Sequence, residues 1–248
     1  MTLLTGNDRR RIACVVYAGV CFSSLLFSQC SVQAQKRWDK YQWDKLVRER
    51  STEIPPQPGK IICIGSSHMA RWTSVANDLA PLKVYNFGIG GSTMRDAADV
   101  FAKKLVIPYK PRAVILYEGS NDIARGTSPA QILEQFQDFY SQVRRSLPST
   151  RFYVLGIVPS PGKRFEKWET IQRANNTLRK ECQRYPWLTY IDTTSGLIGD
   201  DQQPRMECFL KEDIHMNSKG YNVWASEVAP VVLVAEKKSK QVDARIEN

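Results

Sequence analysis

Histidine is nearly absent from this chain: among 248 residues there are two, His68 and His215. A serine hydroxyl becomes a good nucleophile only when a neighbouring base takes its proton, and that base is most often histidine. Serine chemistry here would leave almost no choice of base. Metal-binding patterns are missing as well. No Cys-x-x-Cys occurs and the six cysteines form no cluster with either histidine, which argues against zinc. The chain lacks Gly-x-x-x-x-Gly-Lys-Ser/Thr, so no triphosphate-binding loop is expected. No internal repeat and no nucleic-acid reading motif is visible. No apolar run reaches the roughly 20 residues needed to span a bilayer.

What is present suits one sizeable core: 42% of the residues are hydrophobic. The formal charge is +10. The excess is spread along the chain, which fits a solvated surface better than a binding block. Attraction to anionic cell-wall polymers or lipid headgroups is the alternative. Arg9-Arg10-Arg11 precedes an apolar run from Ile12 to Phe27 and then Ser31-Val32-Gln33-Ala34. That is the pattern of a secretory signal peptide over residues 1–34, with cleavage expected after Ala34 and a periplasmic or secreted product. An uncleaved N-terminal anchor is the alternative. Residues 35–59 then form an N-terminal helix (Gln35 to Arg50) and a Pro-rich linker, 60–234 the main domain, and 235–248 a charged, frayed tail. Beyond the leader only Cys63, Cys182 and Cys208 remain. Cys182 with Cys208 is the one disulfide worth considering, and Cys63 reads as an inert buried thiol.

Five short apolar runs read as buried strands: Lys60–Gly65, Lys83–Phe87, Arg112–Tyr117, Arg151–Val158 and Leu188–Asp192. Between them, Thr93–Lys104, Pro129–Ser146 and Glu166–Arg184 carry apolar residues at helical spacing, and a last helix follows Asn217 to about Val234. Alternating strands and helices predict a parallel sheet covered on both faces. Sites in such sheets form at the carboxyl ends of the strands.

That rule gathers three polar turns on one rim. Gly65-Ser66-Ser67 follows the first strand, Gly88-Ile89-Gly90-Gly91-Ser92 the second, and Gly119-Ser120-Asn121-Asp122 the third. Ser67 at a strand-to-helix junction can project its hydroxyl and turn its own backbone N–H toward a ligand. Gly91 can offer an unobstructed backbone N–H and Asn121 a side-chain N–H. Together they would form an oxyanion hole. His215, with Glu212 and Asp213 just before it, is the better candidate base, and an acid at that place can orient its ring. His68, bonded in sequence to Ser67, reads more readily as an incidental polar residue. Glu166, Trp168, Arg173 and Asn175 follow the fourth strand as candidate pocket residues, or else as a solvated helix start.

Ser67, Gly91, Asn121 and His215, in that order and context, resemble the SGNH hydrolases, also called the GDSL esterase/lipase family. Asn86-Phe87-Gly88-Ile89-Gly90-Gly91 and the later Gly-x-Asn turn are also similar to the brain-type platelet-activating-factor acetylhydrolase catalytic subunits. Gly65-Ser66-Ser67 through Trp72, with Pro108-Tyr109-Lys110-Pro111 and Asn121-Asp122-Ile123, looks closer to a bacterial secreted branch carrying Gly-Ser-Ser. The resemblance runs from about Arg37 to Val234. It implies a three-layer α/β/α sandwich with a five-stranded parallel sheet and no cofactor. Two departures stand out. The usual Gly-Asp-Ser is Gly65-Ser66-Ser67 here. The family's aspartate three residues before the histidine is Glu212, with Asp213 one residue later. Glu212 is the expected triad acid and Asp213 the alternative. The function implied is an exported serine esterase for short acyl esters, with an acetylated carbohydrate as first substrate and no nucleic-acid or stable membrane partner. An acyltransferase to an envelope glycan and a silent glycan- or lipid-binding module are the alternatives.

Overall fold

The computed structural model describes residues 44–52 and 54–246. The leader and most of the helix expected from Gln35 lie outside the described residues. Five strands form one sheet: β1 (Ile61–Gly65), β2 (Val84–Asn86), β3 (Ala113–Tyr117), β4 (Arg151–Leu155) and β5 (Leu188–Ile191). Their order is β2-β1-β3-β4-β5 and every neighbouring pair is parallel. β1 and β3 are buried at every residue, as apolar runs covered on both faces must be.

Residues 44–52 are helical, and from β1 onward the helices are α1 (Ser67–Ala70), α2 (Val75–Asp78), α3 (Met94–Asp96), α4 (Ser120–Ala124), α5 (Pro129–Ser146), α6 (Trp168–Cys182) and α7 (Ser218–Ile246). α3 continues without a break into a π-helix, Ala97–Val106. Local sequence explains the clearest starts. Ser128 caps α5 through a reciprocal box with Gln131, and Pro129 fills the first turn. Asn217 Oδ1 accepts from the backbone N–H of Lys219 at 2.9 Å and caps α7. α5 packs between the π-helix and α6 to form one layer. On the other face Trp224, Val228 and Val232 of α7 pack with Ile61, Cys63, Ile115, Tyr117 and Tyr153 of the sheet. The result is the three-layer α/β/α sandwich.

Two expectations need correction. The tail from Ala235 does not fray where the sequence suggested: α7 runs on to Ile246. Glu236 anchors the start of this stretch: its fully buried carboxylate accepts from Arg112 Nε at 2.6 Å, from Arg151 Nη2 at 3.0 Å and from Tyr153 Oη at 2.8 Å. The disulfide does not form. Cys182 and Cys208 are both free and buried. Cys208 lies in the core beneath α7, whereas Cys182 ends α6 on the opposite layer.

Candidate active site

The turns after β1, β2 and β3 and the loop before α7 meet at the carboxyl rim. β1 ends in Gly65, where a Cβ would stand 2.2 Å from the Tyr117 carbonyl oxygen of β3. Only glycine allows that approach, and it swings the chain directly into Ser66 and Ser67. Ser67 opens α1, so its N–H is among the amides that a helix leaves unpaired at its start. A Cβ on Gly90 would lie 3.9 Å from Ser67 Cβ, so the second turn runs alongside the serine. Gly91 follows with φ +83° and open space around it.

Ser67 Oγ lies 2.8 Å from His215 Nε2. His215 Nδ1 lies 2.8 Å from Asp213 Oδ1. A carboxylate only accepts, so Nδ1 carries the proton and Nε2 is left to accept from the Ser67 hydroxyl. Desolvation acts most strongly on Asp213 and would raise its pKa. The hydrogen bond and charge of His215, with the backbone N–H groups of His215 and Ile214, overcome that and hold it below the usual carboxylate range.

The carboxylate that meets His215 Nδ1 is therefore Asp213 and not Glu212, the residue expected there. Glu212 adopts φ +54°, a left-handed turn, and its side chain is exposed. That turn brings the next residue under the ring. The shorter aspartate then reaches Nδ1 across the single intervening residue, and also accepts from the His215 backbone N–H at 3.3 Å.

Asn121 donates from Nδ2 to the Ser92 carbonyl oxygen at 2.9 Å, which ties the third turn to the second. Two buried carboxylates reinforce that tie. Glu118 accepts from Ser92 Oγ at 2.5 Å, and Asp122 accepts from the Met94 N–H at 3.0 Å. Burial, then the charge of Asp122, pushes Glu118 well above the usual carboxylate range. Burial likewise pushes Asp122 up to about 6. Arg125 Nη2 donates to the Gly91 carbonyl oxygen at 3.0 Å.

Three residues here carried little sequence signal. His68 is buried, its ring centroid 5.2 Å from that of His215. Its Nε2 donates to the Ile214 carbonyl oxygen at 3.2 Å, so it holds the loop between Asp213 and His215. Burial, then the nearby His215, lowers its pKa to about 3 and keeps it neutral. Arg125 and Arg164 lie in turns where periodicity says nothing. Arg164, in the 3₁₀ turn Gly162–Lys167 after β4, bonds Asn121 Oδ1 at 3.0 Å. The pocket residues expected in this region do other work. Glu166 is exposed, Arg173 pairs with Glu169 at 2.6 Å, and Trp168 stacks on Phe165. Asn175 is buried, bonded to both the N–H and the carbonyl of Ile157. Among the described residues no group of His, Cys, Asp and Glu could hold a metal ion.

Known proteins agree with this frame. The model of the GDSL-like lipase/acylhydrolase family matches residues 63–223. The human platelet-activating factor acetylhydrolase IB subunit alpha2 is 22% identical over 143 residues, 57% of this chain and 61% of that protein. The chain thus matches about three fifths of the length of that relative. A GDSL-like lipase from Bacteroides thetaiotaomicron superposes with a TM-score of 0.64 at 14% identity, covering 78% of this chain and 98% of the other. A carbohydrate esterase family 3 protein from Talaromyces cellulolyticus superposes with a TM-score of 0.55 at 17% identity, covering 73% and 99%. The matched segment opens inside β1, just before Ser67, and closes in α7, just beyond His215, so it takes in both ends of the rim. By that match the chain belongs to the GDSL-like lipase/acylhydrolase family of ester-hydrolysing enzymes.

Proposed function

We propose that the protein is a serine esterase that releases short acyl groups, acetyl first, from carbohydrate esters. The observation that carries this is the unbroken chain Ser67 Oγ–His215–Asp213, with 2.8 Å at each link. Ser67 Oγ attacks the ester carbonyl while His215 Nε2 takes its proton. Charge collects on the carbonyl oxygen, and the N–H groups of Ser67 and Gly91 and the Asn121 side chain receive it. His215 returns the proton to the departing alkoxide. Water, activated by the same ring, then releases the acyl group. Asp213 stabilises the imidazolium in both halves.

The short acyl group and the sugar rest on relatives. One matched relative is named an acetylhydrolase and one structural neighbour a carbohydrate esterase. The leader pattern of Arg9 to Ala34 supports action outside the cytoplasm, where acylated glycans are at hand.

Hydrolysis of p-nitrophenyl acetate, butyrate and octanoate by the protein and by Ser67→Ala tests the reading. Fastest cleavage of acetate, abolished in Ser67→Ala, is the expected result. Equal rates for both proteins on every ester, with no fluorophosphonate labelling of Ser67, would overturn it.

A further inference from the structure

Asn121 is the one oxyanion donor that can be installed the wrong way round. A side-chain amide rotated by half a turn presents an oxygen where an N–H is needed, and an oxygen there would repel the developing negative charge. Something must choose between the two orientations. The Ser92 carbonyl oxygen, which can only accept, sits 2.9 Å from Nδ2 on one side. The Arg164 guanidinium, which can only donate, sits 3.0 Å from Oδ1 on the other. Arg164 also donates to the Ser120 carbonyl oxygen, so its planar fork grips the chain immediately before Asn121 and the side chain of Asn121 together.

Arg164 is itself well held. The turn that carries it starts at Gly162, which takes φ +65°, and ends on the Phe165–Trp168 stack with centroids 5.9 Å apart. Its head is half-buried. A cation on the amide oxygen draws electron density from the nitrogen and strengthens the remaining Nδ2–H as a donor.

From this geometry we infer that Arg164 is a positioning residue for the reaction: it fixes the orientation of the Asn121 amide and polarises it, and so sets the strength of the oxyanion hole without touching the substrate. This rests on the esterase reading of Ser67, Asn121 and His215.

A double-mutant cycle on p-nitrophenyl acetate tests it. Removing one oxyanion donor typically costs about 10²–10³ in kcat, so Asn121→Ala should lose about that much. Arg164→Ala should lower kcat by roughly 10- to 100-fold with KM within about twofold, a fraction of the whole donor. In the Asn121→Ala background the same Arg164→Ala change should cost no more than about twofold, because nothing remains to orient. Arg164→Lys, which keeps the charge but cannot fork, should recover part of the loss. Additive losses, or an Arg164→Ala enzyme with unchanged kcat, overturn the inference.

A second readout needs no turnover. The Asn121 side-chain N–H pair, assigned in ¹⁵N spectra by its absence in Asn121→Ala, should shift and exchange faster in Arg164→Ala. If the protein lacks Ser67-dependent esterase activity, the functional reading fails. The spectrum then decides only whether Arg164 fixes the Asn121 amide: a moved resonance keeps that part, and an unmoved one overturns the inference on its own ground.

Discussion

The two rims of one sheet use the same side-chain chemistry to opposite ends. At the amino rim Glu236 is buried with two arginines and a tyrosine hydroxyl on it, and both of its oxygens are paired. At the carboxyl rim Asp213, His215 and Ser67 form a single-file chain whose members are all half-buried. A fully bonded carboxylate in a dry site has no reactivity left, and it locks α7 to β3 and β4. A carboxylate with one imidazole partner and access to solvent leaves the far end of the chain, the Ser67 hydroxyl, free to react. Stability and chemistry are thus separated by about the length of a strand.

The separation can be broken from either side. The largest effect is expected at the carboxyl rim: Ser67→Ala or His215→Ala should lower kcat by about 10⁵-fold or more, while the urea midpoint stays that of the parent. Asp213→Ala should cost about 10³- to 10⁴-fold in kcat, and Glu212→Ala no more than about threefold. Equal losses for the two acids would contradict the assignment of the acid to Asp213. Glu236→Ala should do the reverse. It strands two guanidinium groups and should cost about 3–5 kcal/mol of stability, read as a lower urea midpoint, with kcat unchanged. A Glu236→Ala enzyme with lost activity but parental stability would show that the rims are coupled.

The smallest effect lies at the carboxyl rim, behind the reacting groups. His68 is neutral in the folded protein, with a pKa of about 3 against an ordinary 6.5. Between those pH values the unfolded chain holds a proton that the folded chain does not, so stability rises with pH there and levels off above about 6.5. Lowering the pH from 7 to 5 should cost about 2 kcal/mol through this group. Burial sets Asp122 and Glu118 against that trend, because their raised pKa values favour the folded state as pH falls. The difference between the parent and His68→Gln isolates the histidine: the urea midpoints of the two should converge as pH drops from 7 to 5. Parallel midpoints would mean that His68 is not held neutral.

Much of this was legible in the chain. Continuous apolar runs of five to eight residues mark buried parallel strands, and all five strands lie within a few residues of their expected places. The apolar run outlasts β4 because Gly156 to Val158 stay buried after the ladder ends, and burial alone resembles a strand. The end of α7 was missed because Glu236 looks like a solvated charge until Arg112 and Arg151, remote in sequence, are brought beneath it.

By itself the sequence determined the layer architecture and which three turns must share a rim. Hydrophobic period and glycine placement act locally, and a parallel sheet with short connections leaves the chain little topological freedom. Composition narrowed the base to two histidines, and the bond of His68 to Ser67 in sequence together with the acids before His215 favoured His215. Only the tertiary structure decided which acid meets that base, which way the Asn121 amide is held, and what His68 does. Each depends on a backbone angle at one residue or on a partner from another strand's turn. Glu212 and Asp213 are equivalent in a list of residue types and become different once φ at Glu212 turns one outward and the other under the ring.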